Sequence, residues 1–379
     1  MRCPLCQAQP GERPMRPIYR REATPVLNNV IHPTRLKALA AASGALEVVA
    51  CTRCGFVFNR AFAPQGIRYD AAYDSNRRCS AVYCLHQDTV AQRLAADLDA
   101  GMRILEVGCG EGFLLEAIAR ISGCQVTGID PRCAGRAQRH EQLRLLSSMA
   151  ELAPGEKFTL IIFQHVLEHL PSFLASLESL LHRHGHPGTR VYLEVPALEW
   201  ILAQGNFFDF TYEHVNYFSE ATLKASAASL GLVIEALERV YQEQYLCLLG
   251  RIDGGEKVAP PAFTGDFDLT ELARKRCNLT AFVRRAERIV VWGASGKGTI
   301  CLCDLWDELE GSRLRAVDIN PHKQGRFLPL TGVAIISPEQ LAGLEPFKLL
   351  IMNPIYADEI QARMRALNIR LPKESRYIC

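Results

Sequence analysis

From Met102 onward, short apolar runs alternate with helix-like stretches. Residues 103–107 (RILEV) read as a buried strand, because a short apolar run with a β-branched member suits a strand covered on both faces. Gly108, Cys109, Gly110, Glu111 and Gly112 follow as a tight turn, and a helix is expected over about 113–121. The rhythm then repeats. QVTGID closes a second strand at Asp130, 143–147 make a third, FTLIIF (158–163) a fourth and RVYLEVP (190–196) a fifth. A helix-like segment at 220–230 precedes two more apolar runs, 232–238 and 244–251, which suit an antiparallel pair at the far edge of the sheet. Alternating strands and helices predict a Rossmann-like α/β domain with a mostly parallel sheet.

The theme recurs near the end of the chain. A Gly- and Pro-rich stretch, 253–270, reads as a linker, and a helix follows around 269–286. Arg288-Ile-Val-Val-Trp then leads into Gly293-Ala-Ser295-Gly296-Lys297-Gly298, with later strands at 313–320 and 348–354, so a second Rossmann-like α/β unit is expected. Ahead of Met102 lie an amphipathic helix around 86–98 and a polar, irregular lead-in carrying Tyr69, Tyr73 and Tyr83. Three domains follow: a module over 1–68, a central domain over 69–252 and a C-terminal domain over 253–379.

Composition narrows the picture modestly. With 48% hydrophobic and 22% charged residues in a chain of 379, there is ample core for two or three globular domains. The formal net charge of +2 provides no global field to recruit nucleic acid or an anionic membrane. The N-terminus lacks the apolar core of a secretory signal and no apolar run is long enough to cross a bilayer. Fourteen cysteines, mostly scattered without pairing logic, suit a reducing cytoplasm. Oligomeric state is not legible.

Four of those cysteines are organised. Cys3-Pro-Leu-Cys6 and Cys51-Thr-Arg-Cys54 form two C-x2-C turns, and two such turns make a closed tetrahedral zinc site of structural type. The long stretch between them implies a β-rich module with an inserted excursion.

The first glycine turn is a nucleotide-sized cradle at the start of a helix. Glu106 at the strand end, and GxGxG spacing in place of GxGxxG, favour S-adenosylmethionine (SAM) over a dinucleotide. Asp130, closing the second strand, is placed to accept ribose hydroxyls; the competing reading is a helix N-cap before Pro131. In the second glycine turn, Gly293, Ser295, Gly296 and Lys297 at a helix start suit an anion such as the phosphates of a nucleotide-sugar, the alternative being a scaffold that only closes a cleft. FDFTYEHVNYFS (208–219) sets Tyr212, Glu213, His214 and Tyr217 in a loop just past the fifth strand, on the side where open α/β sheets bind ligands. Such a cluster suits acid–base work; the alternative is a loop that caps the next helix through Ser219 and Thr222.

LEVGCGEG, the Asp130 strand end and FQHVLEHL resemble the motifs of class I SAM-dependent methyltransferases. Together with the cysteine front and the C-terminal unit, they resemble more narrowly the three-domain, zinc-binding methyltransferases that act on carbon of nucleotide-linked keto-sugars. The resemblance implies that Glu106, Gly108, Cys109, Gly110 and Gly112 line the SAM site, that Asp130 holds the ribose, and that Gln164 and His165 lie near the methionine end. It implies acid–base roles for Glu213, His214 and His169, with Tyr212 beside them. The sugar enzymes place a tyrosine two positions before that glutamate, where this chain has Thr211. Tyr73 and Tyr217 are expected to touch the substrate. Methylation of oxygen or nitrogen on another small molecule is the alternative reaction. A dinucleotide oxidoreductase is disfavoured by both glycine spacings, and a non-enzymatic zinc adaptor by the lack of a basic run near Cys51 and Cys54.

Overall fold

The computed structural model describes residues 1–9, 11, 15–70, 72–134, 140–284, 286–294, 296–309, 313–344, 346–371 and 373–379. The chain opens with β1 (Met15–Pro25), α1 (Arg35–Leu39), β2 (Ser43–Cys51) and β3 (Val57–Asn59), which form an antiparallel meander. The first C-x2-C turn precedes β1. The second begins at the end of β2, where Gly55 N–H returns to the Cys51 carbonyl.

The helix before the central sheet, α2 (Ala81–Ala95), starts earlier than its apolar pattern implies. The Ser80 hydroxyl accepts from Tyr83 N–H and so caps it five residues ahead of the expected start. Then come β4 (Arg103–Val107), α3 (Phe113–Ser122), β5 (Gln125–Ile129), β6 (Leu143–Leu146), β7 (Leu160–Gln164), α4 (Phe173–His184), β8 (Arg190–Pro196) and α5 (Leu198–Ala203). The domain ends with β9 (Asn216–Tyr217), α6 (Glu220–Ser229), β10 (Leu232–Val240) and β11 (Tyr245–Ile252).

Seven of these strands form one sheet in the order β10-β11-β8-β7-β4-β5-β6. β4 through β8 run parallel, whereas β11 pairs antiparallel with both β8 and β10, as the apolar pattern led one to expect. Parallel strands need cover on both faces. Leu114, Leu115, Ile118 and Ala119 of α3 bury one face; Phe173, Leu177 and Leu181 of α4 are among the buried residues of the larger core on the other. The strand order reverses between β4 and β7, so a crevice opens beyond their carboxyl ends.

β9 does not join that sheet. It pairs antiparallel with β3, Val57 opposite Tyr217, so the N-terminal meander gains its fourth strand from the central part of the chain.

The last third comprises α7 (Thr270–Val283), β12 (Arg288–Trp292), α8 (Lys297–Asp304), β13 (Arg313–Val317), β14 (Ile335–Ile336), β15 (Lys348–Ile351), α9 (Ala357–Ala366) and β16 (Arg376–Ile378). Its five strands are parallel in the order β14-β13-β12-β15-β16.

A buried ionic cluster bolts the first sheet to this last unit. From β1, Arg21 reaches Asp304 at the end of α8 through Nε to Oδ1 at 2.9 Å and through its second nitrogen, and the Tyr19 hydroxyl donates to Asp304 Oδ2 at 2.5 Å. Both charged side chains are more than nine-tenths buried. Removing one partner strands the other charge away from water, so Asp304→Ala is expected to cost about 3–5 kcal/mol in chemical denaturation. Lys224→Ala, which breaks the exposed pair with Glu220, should cost about 0.5 kcal/mol or less.

Candidate active site

A cleft of about 1790 Å³ lies beyond the carboxyl ends of β4 and β7 and is lined from three directions. The central sheet supplies the glycine turn, the lead-in before α2 supplies Tyr69, Tyr73 and Arg77, and the last unit supplies Gly293, Gly296 and Lys297.

The glycine turn has the backbone that the sequence demands. Gly108, Gly110 and Gly112 have φ of +74°, +59° and +79°. A Cβ on Gly108 would stand 2.3 Å from Val166 Cγ2. Glu106, Gly108, Cys109, Gly110 and Asp130 all line the cleft; Gly112 does not, and serves instead as the left-handed N-cap of α3. Glu106 is 3% exposed, and burial, reinforced by the nearby Asp130, pushes its carboxyl up to about 8. Its Oε2 is buried with no hydrogen-bond partner among the described residues. Asp130 is engaged within the protein: it accepts from Gly110 N–H at 2.9 Å and from the Arg132 backbone and guanidinium. It thus also acts as the N-cap that the sequence offered as its competing role. Arg132, which sequence reasoning passed over, also bonds the Ser75 hydroxyl and the Tyr73 carbonyl, tying the lead-in to the glycine turn.

Beyond β7, Gln164 and His165 face the cleft and converge on Glu194 of β8. Gln164 Nε2 donates to Glu194 Oε1 at 3.1 Å, His86 Nε2 lies 3.2 Å from the same oxygen, and the Tyr192 hydroxyl donates to Oε2 at 2.6 Å. His165 Nε2 is 3.1 Å from Oε1 but out of line for a hydrogen bond. Burial disfavours charge on Glu194, yet His165 and His86 overcome it and hold the carboxyl well below its ordinary range. His165 itself sits at φ +56°, a left-handed conformation that costs a non-glycine residue about 1–3 kcal/mol and tends to occur at functional sites. Glu194 left one signal in the sequence, a lone acid inside the apolar run RVYLEVP.

The loop before β9 divides its residues between two sides. His214 lines the cleft, and burial together with neighbouring His169 pushes its imidazole down to about 3, so it is neutral. Glu213 is 1% exposed and stands behind the wall. Its Oε1 accepts from the Asn28 backbone N–H at 3.1 Å and its Oε2 from the Tyr73 hydroxyl at 2.8 Å. Burial raises its carboxyl, opposed by His169 and by the Tyr73 bond. His169 also lines the cleft; its Nδ1 is 2.9 Å from the Tyr69 hydroxyl, 3.2 Å from the Glu213 carbonyl oxygen and 3.7 Å from Glu213 Oε2.

Tyr212 and Tyr217 point elsewhere. The Tyr212 hydroxyl meets the Ala63 backbone and its ring covers Gly44, so the bend at 212–213 sends it to the N-terminal meander. Tyr217, in β9, exchanges hydrogen bonds with the Thr211 backbone inside the core. Ser219 and Thr222 do form the capping box of α6. Tyr69 was noted in the lead-in without being assigned to the site, whereas Asn28 and Glu168, also close to this centre, were missed; the carboxylate between two imidazoles in His165-Val-Leu-Glu168-His169 was a usable sign for Glu168.

In the second glycine turn, Gly293 and Gly296 line the cleft and Ser295 lies outside the described residues. Lys297 was expected to answer a phosphate. Instead its Nζ donates to Asp209 Oδ2 at 2.8 Å and lies 4.5 Å from the Trp200 ring centre, so its charge is already balanced. At the N-terminus, the four cysteines form one cluster, with Sγ–Sγ distances of 3.6 Å for Cys3–Cys54 and 3.7 Å for Cys6–Cys51. Thiolates about 2.3 Å from a tetrahedral zinc ion stand roughly 3.8 Å apart, so the set fits that ion.

The seven-strand order and the glycine turn at its switch point define the class I methyltransferase fold. Residues 71–237 match a family described as a methyltransferase domain, and residues 270–372 match one described as a C-methyltransferase C-terminal domain. Over those two segments the chain is similar to methyltransferases. Curated relatives include the ubiquinone biosynthesis O-methyltransferase of Rhodopseudomonas palustris (strain BisB5), 33% identical over 93 residues, which are 22% of this chain and 36% of that protein. The enzyme of the same description from Pseudomonas aeruginosa (strain LESB58) is 37% identical over 105 residues, 25% of this chain and 44% of its own. The chain thus spans less than half the length of these relatives. Among solved structures, the 1,6-didemethyltoxoflavin-N1-methyltransferase of Burkholderia thailandensis is similar at 18% identity with a TM-score of 0.36, covering 46% of this chain and 81% of that one.

Gly108→Ala combines a forbidden φ with the Val166 clash and is expected to lower stability by about 1–3 kcal/mol. Thermal melting should show this, and adding Val166→Ala should recover part of the loss by removing the clashing methyl.

Proposed function

We propose that the protein transfers a methyl group from SAM to a carbon next to a carbonyl, in a small molecule of the nucleotide-linked keto-sugar class. The observation that carries this reading is the buried Glu213 carboxylate, gripped by Tyr73 and Asn28, beside two imidazoles on the cleft wall. When bound, SAM supplies an electrophilic methyl on a sulfonium. Making a carbon nucleophilic requires a proton acceptor and a means of stabilising the enolate. Tyr73 lines the cleft and its hydroxyl donates to Glu213, so a substrate proton reaching the tyrosine oxygen is taken up as the tyrosine proton passes to the carboxylate. A carboxyl raised by burial is a better acceptor for that step. His214, held neutral, supplies an N–H donor for the developing oxyanion, a use of neutral imidazole that suits an enolate. The C-methyltransferase C-terminal domain match supports carbon as the acceptor. The curated relatives are O-methyltransferases, which keeps oxygen methylation as the second reading, with the same groups deprotonating a hydroxyl.

For the cofactor, Glu106 with its orphaned oxygen suits the ammonium of SAM, and Asp130 its ribose once Arg132 releases the carboxylate. The four-cysteine cluster is proposed to hold a structural zinc ion, since four thiolates leave no open position. Tyr212 and Tyr217 have no part in the chemistry proposed here.

Three outcomes are expected. Glu213→Gln should slow deuterium exchange from solvent into a nucleotide-linked keto-sugar by about 10²–10⁴-fold and Tyr73→Phe should also slow it, read by NMR without SAM. Unchanged exchange in Glu213→Gln would remove the assigned acceptor.

Glu106 titrates above the ordinary carboxylate range when the site is empty, so its contribution to stability is full in acid and is lost as pH rises through about 8. An ammonium ligand favours the carboxylate form. Binding of S-adenosylhomocysteine should therefore release close to one proton at about pH 6 and tighten up to roughly tenfold per pH unit toward pH 8. Calorimetry in buffers of different ionisation enthalpy measures this, and Glu106→Gln should abolish the linkage.

Cys51→Ser should yield protein without stoichiometric zinc by elemental analysis and with a lower melting temperature. Full zinc content in that variant would refute the ligand set.

A further inference from the structure

We propose that Glu168, His169 and His214 form a second metal site, for a divalent transition-metal ion, on the wall of the cleft. The ligand atoms these three residues offer lie within 4.8 Å of one another. All three residues line the cleft.

What sets the group apart from an ordinary polar cluster is a surplus of acceptors. Glu168 is 2% exposed, yet its Oε2 is buried with no hydrogen-bond partner among the described residues. Leaving such an oxygen unsatisfied is costly, so it calls for a specific explanation. Its other oxygen faces His165 Nδ1 at 3.6 Å. The His214 ring makes edge contacts with the rings of His169 and Tyr217 but no hydrogen bond to a described residue. His169 is oriented from behind: Nδ1 lies 2.9 Å from the Tyr69 hydroxyl and 3.2 Å from the Glu213 carbonyl oxygen. A proton on Nδ1, donated to that carbonyl, leaves the Nε2 lone pair free, which is how protein frameworks commonly fix a metal-binding imidazole. A buried carboxylate with an orphaned oxygen and two imidazoles therefore converge on one stretch of the cleft wall, and a cation there satisfies the carboxylate.

The ligand types choose the ion. Two imidazoles and a carboxylate suit zinc, manganese, iron or cobalt; magnesium and calcium prefer oxygen-only cages. Ligands about 2.1 Å from one tetrahedral ion stand roughly 3.4 Å apart, so closing the group takes side-chain shifts of up to about 1.4 Å. Three protein ligands leave a coordination position open on the cleft side. Its chemical use, and only its use, rests on the reading above: an ion there would draw the carbonyl oxygen of the substrate and stabilise the enolate more strongly than imidazole N–H groups alone.

The test titrates cobalt(II) into the zinc-loaded, full-length protein and follows visible absorption. The expected result is one saturable equivalent with the weak bands of a nitrogen–oxygen environment and no intense thiolate charge-transfer band. His214→Gln and Glu168→Gln should each weaken that binding at least tenfold while zinc content stays unchanged. Because either variant may disturb packing, wild-type protein provides a second measurement: cobalt(II) should protect His169 and His214 from diethylpyrocarbonate modification, mapped by mass spectrometry. Absence of saturable binding, only a thiolate-type band, equal affinity in the variants, or unprotected histidines would each overturn the proposal. Calorimetry with S-adenosylhomocysteine keeps the two readings separate. Cobalt binding without cofactor binding would sink the methyltransfer reading and leave the metal site standing, and the reverse would do the opposite.

Discussion

One buried carboxylate organises the centre of this protein. Glu213 is held out of water by two donors that come from far along the chain, the Asn28 backbone N–H and the Tyr73 hydroxyl. An unpaired charge in that position would be too costly to keep, so each donor must be in place for the others to matter. The loop 208–219, the excursion of the N-terminal meander and the lead-in before α2 are therefore fixed relative to one another by one residue. His169 joins the same assembly through the Glu213 backbone oxygen, and Tyr69 through His169.

The cleft is closed by a second set of contacts that join all three parts of the chain. Asp74 reaches Asn320, Ser80 reaches Glu359, and Gln244 and Asn353 exchange two amide hydrogen bonds. Lys297 spans from α8 to Asp209. On the opposite side, Arg21 and Asp304 perform the same task in a drier setting. The last unit is held against the cleft by specific polar pairs as well as by apolar packing. Its own glycine turn has a lysine whose charge is already answered by Asp209.

Much of the architecture was legible. The strand–turn–helix rhythm from Met102, the antiparallel pair at the far edge and the restart at Arg288 all follow from periodicity, because buried parallel strands must be apolar throughout. The glycine turn and Asp130 were legible for the same reason that they recur, since a close backbone approach leaves few residue choices. The start of α2 was misplaced because Ser80, a single capping side chain, outweighed the amphipathic pattern. The composition of the candidate site was only half legible. Glu213 and His214 are adjacent in sequence, yet the bend at 212–213 sends their side chains to different sides, and no spacing reveals which one meets the cleft. Tyr212 looked equally suitable and faces Ala63 instead. Asn28 and Tyr69 act through contacts 185 and 100 residues distant, beyond the reach of any local pattern.

The two-residue strand β9 has a consequence for how the protein is made. Its partner β3 is entirely buried in the finished molecule, with Val57 and Phe58 presenting no surface, and it receives its outer neighbour from about 160 residues downstream. During synthesis at roughly 5–20 residues per second, that edge waits on the order of 10–30 s for residues 216–217 to emerge. An apolar strand with an open ladder is a template for pairing with other chains. The nascent N-terminal module is thus the most adhesive part of the polypeptide until the loop that carries Glu213 arrives to cover it. The segment that completes the candidate site is also the one that ends this exposure.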